Sequence, residues 1–174
     1  HPEKNFSTTQ ILIKNLLKSL KKISKEVLVI FTSPNADKDS NYIQEYIEKF
    51  IKKGKNLIYV ANFQYEYYLS CVRYCNCVVG NSSSGITEIP LLNIPVINIG
   101  DRQKGRPLSS NIIQSDYKEK TILDTINSVL NKKNFITRKN IKSFYYKKRT
   151  RYEIVKILKK INLNKIKEKR FIDS

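Results

Sequence analysis

The sequence predicts an α/β fold with a doubly wound parallel sheet. Four short apolar runs, each typical of a strand buried on both faces, recur at residues 27–31, 57–60, 77–79 and 95–99. Segments of roughly 10 to 15 residues with helical apolar spacing separate them. Strands that alternate with such helices favour a parallel sheet with helices on both faces.

The elements between the strands are predicted from capping, turn and periodicity signals. Ser7 and Gln10 have capping-box spacing and predict a first helix that begins at Ser7. Gly54 is placed to end the second helix. The remaining predicted elements are a turn at 33–37, helices at about 40–53 and 64–74, a short helix from about 85 toward Leu92, a polar loop at 100–107, a minor strand at best at Ile112 and Ile113, and a helix at 121–130.

The positive charge is concentrated near the end of the chain. Residues 132–174 hold 16 basic and three acidic residues, a net +13 out of the total of +18. We therefore predict a domain over 1–131 and a basic tail over 132–174, in which Tyr152 to Ile161 form an amphipathic helix. Such a tail can bind nucleic acid or an anionic membrane surface. It lacks the motifs of nucleic-acid recognition, and surface lysines of a Lys-rich chain explain the charge without either partner.

Hydropathy and cysteine usage bound the class of protein. No apolar run reaches the roughly 18 residues of a membrane span, so we expect none. Three cysteines do not make a disulfide framework, and a reducing compartment such as the cytoplasm is expected. We interpret Cys71, Cys75 and Cys77 as buried thiols rather than metal ligands.

Two polar loops follow the third and fourth strands, at the sheet edge where ligands bind in such folds. The first, GNSSSG at 80–85, has glycines that permit close approach to its backbone, and Ser82, Ser83 and Ser84 add hydroxyl donors. It opens a helix, whose free N–H groups attract anions, so the loop fits a diphosphate. A Walker loop would need a Lys-Ser or Lys-Thr pair, which this loop lacks.

Charged residues reinforce that interpretation. Glu88, near the start of the same predicted helix, can accept ribose hydroxyls and is favoured there by the helix dipole. Arg102, Lys104 and Arg106 in the second loop bring cations to the same edge, as a nucleotide diphosphate requires. The only histidine is His1, and Pro2 follows it.

These residues together resemble a known family. Residues 80–86 (GNSSSGI), Glu88 and residues 95–106 (PVINIGDRQKGR) look like the C-terminal domain of UDP-N-acetylglucosamine 2-epimerases, and the likeness runs from His1 to about Leu130. The loops are closer to the hydrolysing branch than to the non-hydrolysing one. The resemblance implies the Rossmann-like C-terminal half of a two-domain, glycogen-phosphorylase-like (GT-B) fold. It also implies that the sheet's first strand and the N-terminal domain are missing from this chain.

The resemblance assigns roles to individual residues. Ser82 and Ser83 would bind the diphosphate, and Glu88 would bind the ribose. Arg102 would bind the phosphates or line the sugar site, and Phe63 would lie beside the uracil. Further candidate contacts to phosphate or sugar are Ser84, Gly85 and Arg106. His1 matches a His-Pro turn whose histidine lies in the family's active site, so it is the candidate catalytic residue.

The implied reaction converts UDP-N-acetylglucosamine and water to N-acetylmannosamine and UDP, for the synthesis of sialic-acid-type sugars. UDP leaves by anti elimination across C1–C2, and water then adds. The resemblance implies no metal and no nicotinamide cofactor, and it implies a homo-oligomer for the full-length protein. Because the family's catalytic carboxylates lie in the N-terminal domain, we predict that this chain alone is inactive.

Three alternatives stay open. The chain could belong to a non-hydrolysing 2-epimerase that makes UDP-N-acetylmannosamine, which product analysis would distinguish. It could be the donor half of a GT-B glycosyltransferase, although the Glu-x7-Glu arrangement of those enzymes does not follow Gly80. It could also be a non-catalytic binding module that uses the basic tail on nucleic acid or membrane.

Overall fold

The computed structural model describes residues 2–34, 40–131 and 143–162, with the backbone alone for residues 2–7. Short strands alternate with helices. In chain order the elements are α1 (Pro2–Ile23), β1 (Val29–Thr32), α2 (Ser40–Ile51), β2 (Leu57–Val60), α3 (Tyr65–Val72), β3 (Val78–Gly80), α4 (Ser84–Thr87), a 3₁₀ turn (Ile89–Leu92), β4 (Val96–Ile99), β5 (Ile112–Ser115), α5 (Glu119–Asn131) and α6 (Thr150–Lys160). The chain forms two compact units, residues 1–144 and residues 145–174. The domain division predicted at residue 131 stays a prediction.

The strands form two parallel sheets, one of two strands and one of three. β1 pairs with β2, with Val29 opposite Leu57. The other sheet has the order β3-β4-β5. A doubly wound sheet has the order 3-2-1-4-5-6, and without its first strand a pair and a triplet remain. The observed division is the one that a missing first strand predicts.

Apolar residues cover both faces of the three-stranded sheet. Consecutive strand residues point to opposite faces, and in β4 Val96 and Ile97 enter different cores. The large core comprises Ile13, Leu17, Leu20, Phe31, Ile47, Leu57, Ile97, Ile99, Ile122, Ile126 and Val129. The small core comprises Val72, Ile89, Ile94 and Val96, with Tyr68, Val78, Leu92 and Ile112 packed against it. Helices α1 and α5 therefore cover one face, while α3 and the 3₁₀ turn cover the other. Helix α2 packs against β2 of the other sheet.

Three predicted elements need correction. The first helix begins at Pro2 rather than at Ser7, because proline is well suited to the first helical position. The minor strand at Ile112 is a full four-residue strand that pairs along β4. The helix predicted from 85 toward Leu92 is interrupted after Thr87, since Pro90 has no N–H with which to continue it. The turn predicted at 33–37 lies partly outside the described residues.

The unit of residues 145–174 contains α6, which confirms the predicted amphipathic helix. None of the residues of α6 is buried. Its exposed apolar side chains are Tyr152, Ile154, Val155, Ile157 and Leu158. Among the described residues, no helix combines the length and the apolar character that crossing a membrane demands.

Candidate functional site

The loop between β3 and α4 presents serine hydroxyls at the surface. Ser82 and Ser83 are exposed, and the Ser83 side chain forms no capping hydrogen bond although Ser83 precedes α4. The backbone closes the turn instead, because the N–H of Gly85 donates to the Ser82 carbonyl at 3.2 Å and that of Ile86 to the Ser83 carbonyl at 2.9 Å. Ser83 therefore does not act as an ordinary helix cap.

The shortness of α4 changes the electrostatic argument. Four residues carry only a small macrodipole, so the loop hydroxyls and amides are the main anion donors. The sequence predicted that Glu88 would lie near the start of the helix, and it does not. It ends α4, where its N–H donates to the Ser84 carbonyl at 3.0 Å. The expectation that the helix dipole favours Glu88 is therefore wrong.

Tyr68 connects this loop to the one that follows β2. Its hydroxyl lies 3.2 Å from the Ser84 Oγ, and its ring meets that of Phe63 edge-on, with 6.1 Å between centroids. Burial raises the pKa of Tyr68, the bond to Ser84 lowers it, and the charge of Glu88 raises it. The phenol therefore stays protonated at neutral pH and can donate to Ser84. Sequence reasoning missed Tyr68, although its place on a helix entered from the predicted ligand edge was a usable signal.

The loop after β4 turns sharply around Tyr117. Gly100 has φ +75°, and a side chain there would overlap the Tyr117 ring, so only glycine fits. The N–H of Asp101 donates to the Tyr117 hydroxyl at 3.0 Å. The side chains of Arg102, Lys104 and Arg106 that follow are exposed, as the prediction of a cationic loop requires.

A side-chain bond joins the two loops. The Gln103 Nε2 donates to the Asn81 carbonyl at 2.8 Å. Since β3 and β4 are adjacent parallel strands, the loop at 80–85 (the serine loop) and the loop at 100–107 (the cationic loop) leave the same edge of the sheet. The structure thus brings together the two predicted loops. Tyr68 contacts both Ser84 of the first loop and Phe63. His1 lies outside the described residues.

Two of the three cysteines have thiols of raised pKa. All three are free thiols of intermediate burial, rather than the buried thiols expected. Burial raises the pKa of Cys75, and it raises that of Cys77 to about 11, with a smaller contribution from Cys75. Little reactive thiolate therefore forms at these two residues near neutral pH. Among the described side chains, no group of three or more His, Cys, Asp or Glu is arranged to hold a metal ion.

Comparison with known proteins identifies the family. The profile of UDP-N-acetylglucosamine 2-epimerase matches residues 1–159, most of the chain. The chain belongs to the UDP-N-acetylglucosamine 2-epimerase family. This confirms the resemblance expected from the two loop motifs.

Relatives of this epimerase-family chain include proteins named for hydrolysing reactions. It is 39% identical, over 97% of its length, to the GDP/UDP-N,N'-diacetylbacillosamine 2-epimerase (hydrolyzing) of Campylobacter jejuni. It is 33% identical, over 99% of its length, to polysialic acid biosynthesis protein P7 of Escherichia coli. The chain spans 44% of the length of each. Its similarity to hydrolysing members agrees with the loop sequences.

A solved structure confirms the fold class. The UDP-GlcNAc 2-epimerase of Neisseria meningitidis, determined bound to UDP-GlcNAc, superposes with a TM-score of 0.64 at 14% identity. The alignment covers 85% of this chain and 41% of that one. The epimerase-family chain therefore has the Rossmann-like fold of one half of a GT-B protein, as the C-terminal half was expected to have.

Proposed function

We propose that the chain is the UDP-binding part of a hydrolysing UDP-N-acetylglucosamine 2-epimerase. The observation that carries this proposal is the joining of the serine loop to the cationic loop at one sheet edge by the bond from Gln103 to Asn81. Hydroxyl donors opposite guanidinium groups suit a nucleotide diphosphate. Family membership and the hydrolysing names of relatives support the reaction class.

The proposed roles follow the exposure of each side chain. Ser82 and Ser83, both exposed, would donate to the diphosphate, and exposed Arg102 would contact phosphate or sugar. Half-buried Glu88 would accept ribose hydroxyls. Phe63, held by Tyr68, would lie beside the uracil.

The three further candidates differ in what they can reach. The Ser84 hydroxyl already bonds Tyr68. Gly85 is buried, and a Cβ added there would lie 3.1 Å from a Val96 methyl. Ser84 and Gly85 therefore contact the rest of the protein and stabilise the loop. Arg106 has an exposed side chain and is the strongest of the three as a direct ligand contact.

Catalysis requires more than the described residues supply. Elimination across C1–C2 needs a base for the C2 proton and an acid or charge partner for the departing UDP. We propose His1 as one catalytic residue and carboxylates of a preceding domain as the others. The 174-residue chain should bind UDP and should not turn over the UDP-sugar. Adding the missing domain should restore the release of free UDP. A cytoplasmic location, a role in sialic-acid-type sugar synthesis and homo-oligomeric assembly belong to the same proposal.

Replacing Ser82 and Ser83 together tests the binding site. Each charge-assisted hydrogen bond contributes about 1.5–3 kcal/mol, so Ser82→Ala/Ser83→Ala should raise the Kd for UDP well over tenfold in calorimetry. Both side chains are exposed, and the melting temperature should therefore stay near that of the wild type.

The matched control is Ser70→Ala, which removes an exposed hydroxyl on α3 that bonds only its own helix, at the Glu66 carbonyl. It should leave UDP affinity unchanged. If the double variant binds UDP as tightly as the wild type does, the diphosphate does not lie on this loop.

A further inference from the structure

Gln103 is buried, unlike the residues on either side of it in the cationic loop. Only 5% of its surface is exposed, whereas Asp101, Arg102, Lys104, Gly105 and Arg106 are all exposed. A long polar side chain gains nothing from burial unless its polar atoms find partners. The reason for its burial must therefore lie in what its amide contacts.

The amide contacts the start of the serine loop. Its Nε2 donates to the carbonyl of Asn81, 22 residues earlier in the chain and the first residue after β3. The amide orientation follows from the pairing, because the reverse would place two oxygen acceptors against each other. Gln103 is thus a direct link between the loops that leave β3 and β4.

Holding that carbonyl also fixes an N–H group. The peptide unit is planar and trans, so the Asn81 carbonyl and the Ser82 N–H point in opposite directions. With the carbonyl held toward Gln103, the Ser82 N–H must point away from it. The link therefore sets the orientation of the first amide in the serine loop, before the two hydroxyls proposed to bind the diphosphate.

The other end of the amide is unsatisfied. The Gln103 Oε1 is buried without a hydrogen-bond partner, which is unfavourable for the folded state. An apolar side chain of the same length would leave no buried acceptor unpaired, so stability alone does not explain the amide. The hydrogen bond that Nε2 donates therefore explains the amide at this position better than a gain in stability does.

We propose that Gln103 is a positioning residue that holds the serine loop, through Asn81, in the shape that binds a nucleoside diphosphate. The ligand part of this inference rests on the proposed function. The link itself does not, because it concerns the shape of the loop without ligand.

The test compares Gln103→Met with Gln44→Met in the 174-residue chain. Methionine keeps the length and unbranched shape of the side chain but removes the donor and the unsatisfied acceptor. Gln44 is on α2, where it bonds Glu48 of the same helix, so its replacement controls for the chemistry of the substitution. Three measurements are made on each variant: thermal unfolding, amide hydrogen exchange at Gly85 and Ile86, and calorimetry with UDP and with uridine.

Gln103→Met should unfold at or above the wild-type temperature, while Gly85 and Ile86 exchange faster as their turn loosens. Its UDP affinity should fall about three- to tenfold, the effect of one hydrogen bond. Its uridine affinity should not change, because uridine has no diphosphate. A merely structural role would lower the melting temperature and weaken both ligands alike. Gln44→Met should match the wild type throughout.

Each contrary result has a distinct meaning. Unchanged exchange at Gly85 and Ile86 would overturn the link, whatever happens to UDP. Faster exchange with undiminished UDP affinity would overturn the role in ligand binding. Equal losses of UDP and uridine affinity would overturn it as well. If the wild-type chain binds no UDP, the proposed function fails together with the ligand part of the inference, and hydrogen exchange still decides the link.

Discussion

The central strand of the three-stranded sheet and the two strands of the other sheet are equal in length but are buried very differently. All four residues of β4 are buried, whereas β1 and β2 each bury one. The reason is that β4 pairs with a strand on each side and contacts two cores. The three-stranded sheet lies between the large and the small core, while the small core contains no described residue of β1 or β2.

Both candidate ligand loops leave the sheet that is covered on both faces. A loop can hold donors in fixed positions only if the strands that support it are themselves fixed. β3 and β4 provide such support, since side chains on each enter both cores. The comparison teaches that the site lies beside the strand whose packing is complete, β4. Three experiments can break or sharpen that conclusion.

The largest expected effect comes from two isoleucines near the middle of their strands. Ile97 in β4 is fully buried, and Ile58 in β2 is 45% exposed. Ile97→Ala should lower the free energy of unfolding by about 2–5 kcal/mol, because it leaves a cavity in the large core. Ile58→Ala should cost about 1 kcal/mol or less. Urea unfolding measures both, and equal losses would mean that the two sheets contribute alike.

A smaller effect is expected from two glycines of the cationic loop. Gly100 and Gly105 have φ of +75° and +84°, so alanine is strained by roughly 1–2 kcal/mol at either. Only at Gly100 does a new Cβ also overlap the Tyr117 ring, whereas at Gly105 it meets nothing within 4 Å. Gly100→Ala should therefore cost about 1–3 kcal/mol more than Gly105→Ala.

The measurement is again urea unfolding of the two variants side by side. Tyr117 cannot move aside freely, since its hydroxyl accepts the Asp101 N–H. Indistinguishable stabilities would show that the ring yields, and that the cationic loop is less firmly fixed than the packing of β4 and β5 indicates.

The smallest effect is expected from the ion pair between Lys22 on α1 and Glu119 on α5, at 2.8 Å. It joins two helices of the large core, which both sheets share, so it should not distinguish them. The hydrogen bond from Lys22 lowers the pKa of Glu119, burial raises it, and the charges of Lys22 and Lys18 lower it. A lowered folded-state pKa stabilises the fold above the unfolded value and loses that effect as the pH falls through the folded value.

Glu119→Gln should therefore lower the melting temperature slightly at pH 7. The difference from wild type should shrink as the pH falls below the ordinary pKa of 4.5 and vanish below the lowered pKa of the folded state. Roughly 0.5 M NaCl should reduce the difference at pH 7, because both side chains are partly exposed. If the difference in melting temperature persists at acid pH, it comes from packing rather than from charge.

The elements could be predicted from the sequence because their signals are local. The apolar runs placed four of the five strands to within two residues, and the periodicity of Ile122, Ile126 and Val129 predicted α5. The start of α1 was missed because Ser7 and Gln10 also fit the interior of a helix that Pro2 can begin. Full pairing of β5 was missed because its two isoleucines give a weak local signal, and the edge of β4 supplies the rest.

The sequence by itself determined the family, the parallel α/β class and the two loops that carry the candidate site, because each depends on short contiguous motifs. Only the tertiary structure decided which residues fix those loops. Tyr68, Tyr117 and Gln103 act on partners 16, 16 and 22 residues away. Such pairings depend on how parallel strands bring separate loops to one edge. A hydrogen bond across that distance leaves no periodicity or spacing in the sequence from which it could be predicted.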